Sequence, residues 1–159
     1  MKLARLHSLL FSILAACLSC TSLTALAAQH LEGTEVQTRS AYSPGVVTQG
    51  GRIVWLAGHT TTTDDNGKDI SYNFEAQVRQ VFKNLDTTIK RAGGSLSDMV
   101  SMTVFLQDQR LAPAFTKIRH EMFPDGRFPA SARIGVSSFA RPGIMIEIQG
   151  VAVLGDTLK

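Results

Sequence analysis

The stretch NFEAQVRQVFKNLDTTIKRAGG, residues 73–94, constrains the fold more than any other. Phe74, Val78, Val81, Phe82, Leu85 and Ile89 recur at spacings of three and four, with one adjacent pair. That is one apolar stripe on a 3.6-residue period, and it predicts a helix from about Phe74 to Ala92 that buries a single face. Asn73 stands at the N-cap, Glu75 lies near the positive end of the helix, and Gly93-Gly94 ends it. Arg79, Lys83, Asp86 and Lys90 fall off the stripe. Such a helix needs an apolar layer to lie on. The next segment supplies it: Val100, Met102, Val104 and Leu106 alternate with Ser101 and Thr103, the period of a strand.

The remaining elements build the same layer. RIVWLAG, residues 52–58, reads as a strand with Ile53, Trp55 and Ala57 on one face and Val54 and Leu56 on the other; both faces are apolar, and Trp55 is expected in the core. A first strand is expected around Val36 to Ser40, with a hairpin turn at Gly50-Gly51 and a further turn at Asp64-Asp65-Asn66-Gly67. A second helix, from Pro113 to Met122, carries Phe115, Ile118 and Met122 as its buried stripe. Two strands close the chain. In the first, Ser131, Arg133 and Gly135 share a face; in the second, Met145, Glu147 and Gln149 do. The order is ββαβαββ, with a short extra strand after Asn66 making six: an α+β domain, one mixed sheet with two helices on one face. The other face, expected to hold Arg133, Glu147 and Gln149 among apolar neighbours, then needs a cover, which predicts self-association.

The first residues have a different purpose. Lys2 and Arg5 precede an uncharged run from Ser8 to Gln29, and Ala25-Leu26-Ala27 forms an A-x-A site. This reads as a secretory signal over residues 1–28, giving an exported, periplasmic protein; the run is also just long enough to span a bilayer as an uncleaved anchor. Leu14-Ala15-Ala16-Cys17 also resembles a lipobox, in which case Cys17 would anchor the protein to the envelope membrane. Residues 29–35 are then a lead-in, 36–154 the domain and 155–159 a tail. Both cysteines, Cys17 and Cys20, lie in the signal, so the processed chain has neither disulfide nor thiol nucleophile. The net charge of +3 comes from 16 Lys and Arg against 13 Asp and Glu; without Lys2 and Arg5 it is +1. No basic cluster remains to favour nucleic acid.

No histidine and carboxylate spacing resembles a metal site, and Ser137 and Ser138 lack a base nearby for a hydrolase triad. The chemistry-bearing candidates are Arg133 and Glu147, each central in a terminal strand. A charge there is costly alone, so the two are expected to pair. The pair either fixes strand register or lines a cleft in which Arg133 grips an anionic substrate and Glu147 orients water. His59, at a strand end after Gly58, is either a polar terminus or an acid, base or donor.

The segments AGH (57–59), NFEAQVRQVFKNLDTTIKRAGGSLSDMVSMTVFLQD (73–108), FPASARIGV (128–136) and IEIQGVAVL (146–154), in this order, resemble the Rid/YjgF family of reactive-intermediate imine deaminases. The resemblance spans about residues 36–154. It implies a chorismate-mutase-like, YjgF-like fold, a homotrimer whose sheets form a central barrel, and clefts between subunits. It also implies hydrolysis of small imines or enamines to keto compounds and ammonia without metal or organic cofactor. A non-catalytic trimer binding a small carboxylate is the alternative. By the same resemblance, Glu147 matches the family's glutamate, Gly58 the glycine that admits the ligand, and Tyr42 a cleft-lining tyrosine. Three positions depart. His59 replaces a glutamine and Thr116 an asparagine. Ser131 stands where the carboxylate-binding arginine of a P-A-R motif is expected, with Arg133 two residues on.

Overall fold

A computed structural model describes residues 28–155. The expected export signal, with Cys17 and Cys20, lies outside the described residues except for Ala28, as does the tail beyond Gly155. The elements are β1 (Gln29–His30), α1 (Glu35–Arg39), β2 (Val46–Val47), β3 (Arg52–His59), α2 (Phe74–Arg91), β4 (Met99–Leu106), α3 (Ala112–Met122), β5 (Ala130–Gly135) and β6 (Ile146–Leu154).

Helix α2 is the one the stripe predicts. Asn73 Oδ1 accepts from the Ala76 N–H at 3.2 Å, and Phe74, Val78, Val81, Phe82, Leu85 and Ile89 are all buried. Its last carbonyls meet the chain itself and a side chain: the Gly94 N–H donates to Ile89 O, and Arg52 Nη2 donates to Ala92 O at 2.6 Å. Gly93, at φ +90°, takes the left-handed conformation that ends the helix. Below α2 and α3 lies a mixed sheet in the order β3-β6-β4-β5, with only β4 and β5 parallel. Phe82 stacks on Phe115 at 6.1 Å and meets Phe123 edge-on, joining the two helices. Behind them Met102, Val104, Leu106, Ile146, Ile148 and Leu154 complete the core.

A buried amide organises one end of the sheet. Gln77 Nε2 donates to Ile70 O at 3.0 Å and to Gly143 O at 2.6 Å, and its Oε1 accepts from the Met145 N–H at 2.9 Å. The helix thereby grips the loop that enters β6, one residue before the strand and two before Glu147.

Several details differ from expectation. Residues 36–39 belong to a helix, not a strand: Thr34 Oγ1 accepts from the Gln37 N–H at 3.3 Å while Gln37 Oε1 accepts from the Thr34 N–H at 2.7 Å. That reciprocal capping outweighs the β propensity of Val36 and Thr38. The strands do not make one six-stranded sheet. Four form the sheet above, and β1 pairs with β2 alone. Gly50 and Gly51, at φ +79° and +75°, turn the chain from one sheet into the other, so they form no hairpin. After Asn66 there is only a single bridge, Thr63 to Asp69, because the Asp64 side chain folds the turn back on itself by accepting from the N–H groups of Asn66 and Lys68.

The faces of the sheet also differ. Paired residues project to the same side. Arg133 pairs with Val104, and Val104 with Ile148, both fully buried under the helices. Glu147 pairs with Phe105, and Phe105 with Ile134, on the uncovered side. Arg133 is therefore on the helix side, not on the open face. The alternation in β5 separates two faces but does not say which meets the helices, and here the apolar member, Ile134, is the one turned out. The open face of this single chain leaves Trp55 78% and Ile53 57% exposed, so Trp55 is not core.

Candidate functional site

The expected site residues fall into two groups. The first lies at the sheet edge, where the end of α1, helix α3 and strand β5 meet. A cavity of about 370 Å³ is lined by Ser40, Tyr42, Arg119, Ser131 and Arg133. An adjoining hollow brings Thr116 together with Arg39, Lys117, His120 and Arg133. The second group lies on the open face at the β3–β6 junction. There a β-carbon on residue 58 would collide with the Glu147 carboxylate, so glycine is what lets this acid lie against β3.

Arg133 and Glu147 do not make the expected contact. They stand on opposite faces of the sheet, and Arg133 Nε donates instead to Gln109 Oε1 at 3.2 Å. His59 spends both ring nitrogens locally. Nδ1 lies 2.8 Å from the Ala57 carbonyl, which requires a proton there, and Nε2 lies 3.0 Å from Thr88 Oγ1 on α2. The imidazole thus ties the end of β3 to the helix.

The residue that sequence reasoning missed is Arg119. It sits on α3 with only 3% of its surface exposed. Its Nη1 donates to Ser131 Oγ at 2.8 Å, its Nη2 to the Ser40 carbonyl, and its guanidinium lies over the Phe115 ring at 4.9 Å. Nε has no hydrogen-bond partner among the described residues. Neither Arg119 nor Arg133 forms an ion pair among them. Burial, reinforced by the nearby Arg133 cation and opposed by Tyr42, lowers the Arg119 pKa from the usual arginine range to about 10, which leaves it charged at neutral pH. A signal for it existed: Phe115, Ile118 and Met122 define a helical stripe, and position 119, four after Phe115, falls on it.

Local backbone supports this arrangement. Ala41 adopts φ +59°, a left-handed conformation uncommon for a residue with a β-carbon. The turn it makes after α1 lies between the Ser40 carbonyl, which meets Arg119, and Tyr42, which lines the cavity. Four cationic or polar groups from three elements thus converge on one small cavity: Arg119 from α3, Arg133 and Ser131 from β5, Tyr42 from the α1 turn. Such an arrangement can hold an anion. Among the described residues no group of three or more metal-ligating side chains is gathered.

Comparisons with known proteins bear on the fold and the family. The model of the family described as endoribonuclease L-PSP matches residues 32–154. The 3-aminoacrylate deaminase RutC of Acinetobacter baylyi is 31% identical over 105 residues, covering 66% of this chain and 82% of the relative. The 2-iminobutanoate/2-iminopropanoate deaminase of Dermatophagoides farinae is 25% identical, covering 71% of this chain and 85% of the relative. Among solved structures, a Rid-family protein of unknown function from Yersinia pestis superposes with a TM-score of 0.71 at 23% identity, covering 81% of this chain and all of the other. That structure speaks for the fold, and the family match speaks for descent. The chain belongs to the endoribonuclease L-PSP family, the family of the RutC and Rid proteins, and has its YjgF-like α+β fold.

Proposed function

We propose that this protein is a Rid-type hydrolase that converts small carboxylate-bearing imines or enamines to keto compounds and ammonia in the cell envelope. The observation that carries this reading is the buried Arg119 guanidinium bonded to Ser131. The family resemblance expects a carboxylate-binding arginine at position 131, and here a cation from α3 reaches that same place over the side chain of a serine. Two related proteins named as deaminases support the reaction class.

The chemistry follows from the groups present. Arg119, with Arg133 beside it, holds the substrate carboxylate. A water next to Glu147 adds to the imine carbon, and the carboxylate takes its proton and delivers it to nitrogen. The carbon–nitrogen bond of the resulting carbinolamine then breaks as Glu147 passes the hydroxyl proton to the departing nitrogen, so the carbonyl forms and ammonia leaves. An enamine first takes a proton on carbon. Positioning supplies much of the acceleration because the protonated imine is already an activated electrophile. Within one chain Glu147 and the arginine cavity face opposite ways, so the reading requires a neighbouring copy to bring its own Glu147 to the cavity. Exposed Ile53, Trp55 and Ile134 on the open face offer the apolar surface for a homotrimer.

A second reading is favoured by that same separation: a trimer that binds a small carboxylate without reacting with it. Ammonia release from freshly generated 2-iminopropionate separates the two. Release above buffer, lowered about 10²- to 10⁴-fold in Glu147→Gln, is the expected result. A rate equal to buffer, with a carboxylate still bound, retires the deaminase. Processing of the export signal is checked by the intact mass of the envelope product, which should begin near residue 28 or at an acylated Cys17; a chain retaining Met1 refutes cleavage.

A further inference from the structure

The cavity holds more positive charge than one carboxylate needs. Arg119 is 3% exposed, makes hydrogen bonds only to neutral oxygens, and leaves Nε unpaired among the described residues. Arg133 lines the same cavity and, among the described residues, has only the neutral Gln109 amide as a hydrogen-bond partner. The acids nearest in sequence are engaged elsewhere: Glu121 binds Arg79 at 2.6 Å and Asp125 binds Arg127 at 2.8 Å. A buried cation without a counter-ion is costly, and a second cation beside it adds repulsion. One bound negative charge removes part of that cost; two remove both.

Resting on the carboxylate-binding reading above, we propose that the cavity selects small dicarboxylates, with Arg119 holding one carboxylate at the cavity floor and Arg133 the other at its mouth. The substrate class is then the imines of amino dicarboxylic acids rather than those of simple monocarboxylic ones. Two separate carboxylates suit the layout better than one compact dianion. The arginines come from different elements, and Ser131, which Arg119 grips, is two residues from Arg133, a separation of about 6 to 7 Å along a strand. A volume of about 370 Å³ is at the small end for ligand pockets and suits a molecule of a few carbons. Arg39, Lys117 and His120 around the adjoining hollow add a field that draws anions to the mouth.

The test uses succinate and butyrate, equal in carbon number and different in charge, with inorganic phosphate as a compact anion, titrated calorimetrically into the full-length protein. Succinate should bind at least about tenfold more tightly than butyrate or phosphate, the effect of one added charge-assisted contact. Arg133→Gln, at an exposed position, should weaken succinate far more than butyrate and so erase the preference for succinate. Arg119→Lys should weaken both, with an unchanged melting profile showing that the fold persists. Equal affinity for succinate and butyrate, phosphate as tight as succinate, or a succinate preference that survives Arg133→Gln overturns the proposal. Ammonia release from the imine of aspartate against that of alanine separates this inference from the reaction class. No ammonia from either, with the succinate preference intact, defeats the deaminase and leaves the dicarboxylate site standing. Equal release from both, without a succinate preference, defeats only the dicarboxylate site.

Discussion

Gln77 and Arg119 are polar side chains withdrawn from water, one on each of the long helices that cover the sheet, with 0% and 3% of their surfaces exposed. Gln77 makes three hydrogen bonds to backbone groups, Ile70 O, Gly143 O and the Met145 N–H, and thereby locks two loops together. Arg119 keeps an Nε unpaired among the described residues, carries a charge, and faces a cavity shared with a second arginine. The first arrangement is complete as it stands. The second becomes complete when an anion enters. Burial of a polar group is therefore no guide to its role until its partners are counted: a saturated group holds the fold, and an unsaturated charged one marks a place for a ligand.

Substitution can break this contrast. Gln77→Leu keeps bulk but strands two carbonyls and one N–H, and should lower stability by roughly 2–4 kcal/mol in urea unfolding. Arg119→Met removes a buried unpaired charge and fills its path with an apolar chain. It should change stability by less than about 1 kcal/mol, or raise it, while abolishing anion binding. If both substitutions cost the same and binding survives the second, Arg119 is structural and the contrast is gone.

A smaller effect sharpens it through pH. On folding, burial is the chief cause that lowers the Arg119 pKa from the ordinary arginine value to about 10. Between those values the unfolded chain holds more protons than the folded one, so this group makes stability rise with pH there. Below about pH 10 its burial as a cation is a full penalty, relieved as the pH climbs through 10 towards the ordinary arginine pKa. The stability of the wild-type protein relative to Arg119→Met should therefore improve from pH 8 to pH 11, with other ionisations common to both. Gln77→Leu, which changes no titrating group, should show a difference from wild type that stays flat. The smallest structural perturbation is Trp55→Glu on the open face. It should leave far-UV circular dichroism unchanged and shift sedimentation towards monomer; an unchanged sedimentation coefficient removes that face as the site of association.

What local sequence determined is considerable. The stripe from Phe74 to Ile89 and the Asn73 cap specify α2, alternation specifies β4, and the segments around Gly58, residues 73–108 and Glu147 specify a family, because these are properties of neighbouring residues and of their order. The capping pair Thr34 and Gln37 was equally readable and describes α1 better than the β-prone residues inside it. Tertiary structure alone decided which face of β5 turns inward. A two-residue period identifies two faces, and only the pairing of β5 with β4 chooses between them. That choice put Arg133 and Glu147 on opposite sides and brought Arg119, distant from both in the strand pattern, to Ser131. The contact forms because a crossover helix packs against the strand that follows it, and no spacing along the chain records how far a long side chain on that helix will reach.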